Sequence, residues 1–155
     1  MTKLQTRLIP DKIRIVDFKM VKGAVESPFE FDQSKIEGHS FQVSYDMGFN
    51  FEDKFVKADF EVEIITESKN NQGGEAKGIF HFVFVYHIDN LEELVIPKTK
   101  KNKLEISGEL GNALASITYS TSRGILMTRF QGTALNDFIL PVIDPNQLLE
   151  TSEVL

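Results

Sequence analysis

Residues 39–68 read HSFQVSYDMGFNFEDKFVKADFEVEIITES, and their patterning sets the class of fold. Phe41, Val43, Tyr45, Met47, Phe49 and Phe51 alternate with Gln42, Ser44, Asp46, Gly48, Asn50 and Glu52. Period two sustained over such a run is the mark of a strand with one face buried. After Asp53-Lys54 the alternation resumes with its parity switched. Val56, Ala58, Phe60, Val62 and Ile64 are apolar, and Lys57, Asp59, Glu61 and Glu63 take the other face. A two-residue loop at Asp53-Lys54 pairs Glu52 with Phe55, so that Phe51 meets Val56, Met47 meets Phe60 and Tyr45 meets Val62. Odd positions then face even ones, and apolar falls on apolar along the ladder. Asp-Lys is not a favoured two-residue loop, so the parity carries this expectation and the turn does not.

Outward from this hairpin, Asn70-Asn71-Gln72-Gly73-Gly74 is turn chemistry. It leads to a strand over residues 76–88 whose core face is Phe80, Phe82, Phe84, Tyr86 and Ile88. The opposite face carries Ile79, His81, Val83, Val85 and His87. A strand apolar on both sides implies that part of the outer sheet face is covered, for instance by another subunit. Upstream, residues 13–25 form a first strand through Val16, Phe18 and Met20, and residues 26–38 form a crossover holding Pro28, Phe29, Phe31 and Ile36. Downstream, Lys98, Lys100, Lys101 and Lys103 mark a basic loop. Asn102 with Glu105 resembles a helix cap, predicting a helix over about residues 103–130 that stops near Gly132. Glu105 and Glu109 come early in it and Arg123 and Arg129 late, as the helix dipole favours. Leu110, Leu114, Ile117 and Thr121 make its apolar stripe, with Ala113 and Ala115 beside it. The Ser- and Thr-rich stretch 116–124 suits either close helix–helix contact or a mildly amphipathic solvent face. The expectation is one α+β domain over residues 1–155, with an antiparallel sheet first and a helix and irregular tail last.

Composition narrows the function. The chain has 155 residues, 41% hydrophobic and 26% charged, which is globular and not disordered. A net charge of −6 gives no electrostatic reason to bind a phosphate backbone, so nucleic acid is not an expected partner. There is no cysteine, hence no disulfide framework and no thiolate nucleophile. The first ten residues carry Lys3 and Arg7 without an apolar core of a signal peptide, and no stretch approaches a membrane span. A reducing cytoplasmic setting is expected. Thirteen Phe against three Tyr and no Trp serve either a packed core or a surface that grips apolar chain segments.

Catalytic constellations are missing. No P-loop or dinucleotide fingerprint occurs, and neither a cofactor nor a metal is expected. His81 and His87 lie about 20 Å apart along one strand, too far to share a metal, and His39 stands alone. Asp59, Glu61 and Glu63 read as the polar face of a half-exposed strand. In the two-residue-loop register Asp46 opposes Glu61 and Ser44 opposes Glu63. Facing carboxylates repel, which also admits a docking face for a basic partner.

Three further stretches resemble one family. Residues 76–91, AKGIFHFVFVYHIDNL, are similar to the fourth strand of the SecB export chaperones with its Gly-Ile-Phe opening. Residues 110–126, LGNALASITYSTSRGIL, resemble the family's long helix as far as Ser122-Arg123-Gly124, and residues 139–149, ILPVIDPNQLL, its Pro-containing tail and short C-terminal helix. The resemblance implies a four-stranded antiparallel sheet, a long helix and an extended tail. It implies a homotetramer, a dimer of dimers, whose grooves hold extended non-native polypeptide without ATP. Mapped onto this chain, the groove takes Phe29, Phe31 and Ile36 of the crossover and Phe138, Ile139, Leu140 and Val142 of the tail. The acidic residues Asp59, Glu61 and Glu63 would then face the export motor SecA, although the basic tail by which family members meet that motor is replaced by LETSEVL. Three functions follow: a holdase for unfolded chains, in export or more generally; a dedicated partner of one client such as an antitoxin; or a small-ligand protein or enzyme on a similar sheet.

Overall fold

The computed structural model describes residues 8–71, 75–98 and 103–151. The turn residues 72–74, the loop residues 99–102 with Lys100, Lys101 and Asn102, and both termini, including Lys3, Arg7 and the last four residues, lie outside them. Alternation becomes four long strands: β1 (Ile13–Glu26), β2 (Ile36–Asn50), β3 (Phe55–Ser68) and β4 (Lys77–Ile88). They form one antiparallel sheet in the order β1-β4-β3-β2, so the crossover carries the chain from one edge of the sheet to the other. Val95–Lys98 (β5) and Lys103–Ile106 (β6) pair as a small hairpin, followed by α1 (Gly108–Arg129) and α2 (Pro145–Thr151). This is the SecB-like α+β arrangement.

The hairpin keeps its parity and shifts its register. Asn50 pairs with Phe55, which places Tyr45 opposite Phe60 and Met47 opposite Ala58. The loop therefore has four residues, with Phe51 inside it. Asn50 Oδ1 accepts the Asp53 N–H at 3.0 Å, and Lys54 takes the positive φ of 65° that closes the turn. The two-residue loops favour glycine at one of their two positions, as in Asn-Gly, Asp-Gly or Gly-X, which Asp-Lys does not supply. Asp46 consequently faces Asp59, and Ser44 faces Glu61.

The helix also begins later than the sequence predicts. Residues 103–106 are extended because their carbonyls and amides pair with β5, and Ser107 caps α1 by accepting the Leu110 N–H. Glu105 is a strand residue paired with Ile96. The buried stripe runs through Leu110, Leu114, Thr118, Ser122 and Leu126 rather than turning through Ile117 and Thr121. Of the two polar residues on that stripe, Thr118 finds a partner in the sheet, whereas Ser122 Oγ is buried with no hydrogen-bond partner among the described residues. Thr118 Oγ1 and Tyr86 Oη share a hydrogen bond of 2.7 Å, while burial pushes the Tyr86 phenol up to about 12. Gly132, at φ 78°, follows the helix end.

The core lies between α1 and the inner sheet face of Val56, Ala58, Phe60, Val62 and Ile64 from β3 and Phe80, Phe82, Phe84 and Tyr86 from β4. The outer face of β4 is only partly covered within the single chain, with Val83 buried and Ile79, His81, Val85 and His87 half-buried. β4 is a central strand, with Lys19 the cross-strand partner of Val83 and Lys57 that of Val85. On the inner face the ring of Phe130, at the C-terminal end of α1, presses onto Gly78. A Cβ there would come within 3.1 Å of that ring and 3.2 Å of Leu135. Gly78→Ala should therefore destabilise the fold by about 1–3 kcal/mol, read as a lowered urea midpoint at unchanged slope.

Candidate functional site

The crossover and the tail are far apart in sequence and meet in the structure. Ala134 N–H donates to Ser27 Oγ at 3.0 Å, and Gln33 Nε2 donates to Asp137 Oδ2 at 2.9 Å. Asp32 caps the short turn before β2, and the hydrogen bonds from Ser34 hold its carboxyl below the usual carboxylate range. These polar straps fix two stretches of irregular backbone side by side at one end of the sheet.

From Phe138 onward the tail alternates between core and solvent. Phe138 and Leu140 are buried, whereas Ile139 is 56% exposed and Val142 87% exposed. Phe138 rests between His39 and Phe41 at ring separations of 5.3 and 5.4 Å. Tyr119 Oη donates to the Pro141 carbonyl at 2.5 Å and ties the tail to α1. In the crossover Phe29 is 99% exposed, Phe31 is partly buried against the core, and Ile36 is the first residue of β2 rather than part of the loop. The seven positions thus divide: Phe138 and Leu140 are buried, Phe31 and Ile36 are half-buried against the core, and Phe29, Ile139 and Val142 stand in water. Among the described residues, the N–H groups of Ile139, Leu140, Val142 and Ile143 make no backbone hydrogen bond. Such a strip offers apolar contact and free main-chain donors together.

The acidic face lies on the other side of the sheet. Asp59 Oδ1 is 2.8 Å from His81 Nε2, Glu61 is 3.4 Å from the other ring nitrogen, and Glu63 is 3.0 Å from Lys77 Nζ. Lys57 is 3.6 Å from Asp59. His81 thus sits between the carboxylates of Asp59 and Glu61. A shallow hollow of about 300 Å³ opens here, lined by Lys22, Gln42, Ser44, Glu61, Glu63 and His81. His87 lies apart, beside Asp89 at 3.0 Å, and the described residues hold no cluster with metal-ligand geometry.

The edge strand β1 is a feature that periodicity does not reveal. Ile15, Phe18 and Met20 lie on the inner face yet are exposed, and Val16 and Val21 fall at two bulges and are exposed too. Alternation places such residues on a core face, but it carries no information about whether the helix reaches them. No described helix is long and apolar enough to cross a membrane.

No protein-family model matches the sequence, and no curated protein matches it closely enough to count as a relative. Among solved structures, the fold is similar to that of a SecB-like chaperone from Mycobacterium tuberculosis, solved in complex with a peptide from the HigA1 antitoxin. The match has a TM-score of 0.51 at 10% identity and covers 86% of this chain and 91% of that one.

His39 gives this region a pH dependence. Its Nε2 is buried without a hydrogen-bond partner among the described residues, and burial pulls its pKa below the ordinary 6.5 against the pull of Asp137 and Glu67. The unfolded chain therefore protonates at His39 before the folded one. Stability from the neutral ring is present above pH 6.5 and is lost as the pH falls through the lowered value. The melting temperature should fall less between pH 7 and pH 5 in His39→Gln than in the parent; equal slopes would exclude this role for His39.

Proposed function

We propose that this chain is an ATP-independent holdase that binds unfolded polypeptide along the seam of crossover and tail. The observation that carries the reading is the outward set Phe29, Ile139 and Val142, exposed on two irregular segments strapped together by Ser27–Ala134 and Gln33–Asp137. A protein that accepts many sequences needs apolar area and free backbone partners rather than one shaped pocket. Each side chain covered by a client contributes on the order of 1.5–3 kcal/mol before ordering costs. The fold of a SecB-like chaperone solved with a bound peptide supports the same reading. Phe31 and Ile36 form the walls of this groove and Phe138 and Leu140 its floor. The chain works as one non-catalytic domain without a cofactor, in the cytoplasm.

The second reading, a dedicated partner of one client, is favoured by the antitoxin peptide on the similar structure. In either case Asp59, Glu61 and Glu63 are the docking face for a basic partner, such as the SecA motor. Such a partner would compete with His81, Lys57 and Lys77 for the carboxylates.

Assembly completes the proposal. β1 is an edge strand of fourteen residues with apolar side chains along it, and an edge of that kind invites pairing with a second chain. The homotetramer, a dimer of dimers, uses this edge. Light scattering at micromolar concentration should give the tetramer mass, with Met20→Lys plus Val21→Lys lowering it; a parent monomer removes this part of the reading.

The groove is tested on its exposed residues, because truncating Phe138 would also open the core. Phe29→Ser, Ile139→Ser and Val142→Ser together should reduce the suppression of aggregation of several unrelated unfolded proteins at least tenfold, with an unchanged thermal melt. Full activity in the triple variant would sink the groove assignment, and suppression confined to one tight client would favour the dedicated partner.

A further inference from the structure

Where the tail turns into α2, a small cleft of about 110 Å³ opens between α1, the tail and α2. Ser116, Ser120 and Arg123 reach it from α1, and Val142, Ile143 and Leu148 form apolar walls opposite. The first three recur at helical spacing on one side of the helix, so a cation and two hydroxyls line one wall. Among the described residues the Arg123 side chain has no hydrogen bond or ion pair, and neither serine side chain has a hydrogen-bond partner. The Tyr119–Pro141 hydrogen bond holds the apolar wall against the helix, so the cleft is part of the folded chain.

Size and chemistry together select the occupant. A volume of this order holds one side chain and falls well below the roughly 300–1,000 Å³ of a drug-sized pocket. A guanidinium presents a planar fork that matches a carboxylate, and serine hydroxyls can donate to its remaining lone pairs. A single cation among aliphatic walls suits a monoanion with an aliphatic body better than a phosphate. Val142 belongs to both this cleft and the exposed strip of the tail. We propose that the cleft captures the free α-carboxylate of a polypeptide whose last side chain is aliphatic, so that a chain laid along residues 139–142 ends at Arg123. This rests on the reading of that strip as a polypeptide-binding surface.

The test uses the full chain and fluorescence anisotropy with a labelled hexapeptide ending in leucine, prepared as the free acid and as the C-terminal amide. The acid should bind about tenfold more tightly than the amide. Arg123→Gln should erase that difference at an unchanged thermal melt, and Arg123→Lys should keep part of it. Equal binding of acid and amide, or discrimination that survives Arg123→Gln, overturns the proposal. Suppression of aggregation is measured in parallel. If it is present without acid–amide discrimination, only the carboxylate site falls. If discrimination is present without suppression, the site stands and the general holdase falls. Binding of neither peptide, with no suppression, removes both.

Discussion

The ring of Phe130 closes the structure. It lies at the C-terminal end of α1, fully buried, edge-on to Phe80 at 5.7 Å and 6.3 Å from Phe138, above the bare backbone of Gly78. Through Phe80 it holds the helix to the central strand, and through Phe138 it holds the tail. Phe138 in turn touches His39 and Phe41, so contacts of one chain of rings run from the middle of the sheet to its β2 edge. A side chain at Gly78 would lift the helix end and with it the tail. The position of the tail, and hence of everything it exposes, depends on this contact.

That arrangement explains why apolar residues remain in water. One helix covers the inner faces of β3 and β4 and leaves the flanks of the sheet open. The tail covers part of the β2 side with Phe138 and Leu140 and must then present Ile139 outward, because an extended chain cannot turn successive side chains to the same side. On the β1 side nothing among the described residues takes that place. The same shortage of cover produces both an apolar strip beside free backbone amides and an apolar edge strand. The first suits an extended client and the second another copy of the chain.

Polar residues hold these exposed parts in place. Ser27, Gln33 and Asp137 strap crossover to tail, Tyr119 strap tail to helix, and Thr118 satisfies Tyr86 beneath the helix. The outer-face carboxylates are likewise met by His81, Lys57 and Lys77. The Arg123 side chain makes no hydrogen bond or ion pair among the described residues.

Much of the sheet was legible because a strand's side chains alternate, and alternation survives in the linear order of residues. The parity switch after Phe51 identified a hairpin, yet the same switch is satisfied by loops of two or four residues; the Asn50–Asp53 hydrogen bond and the backbone of Lys54 chose four. The helix was legible in its middle, where Leu110 and Leu114 recur, and not at its start, because residues 103–106 become a strand only through pairing with β5. The groove residues came from resemblance, and their division into buried Phe138 and Leu140 and exposed Phe29, Ile139 and Val142 needed the fold. By itself the sequence determined the strands, their two faces and the acidic charge balance of the chain, since these follow from residue type and local spacing. Which apolar residues stay in water was decided by the tertiary structure alone, because exposure depends on where one helix and one tail run out of length to cover the sheet.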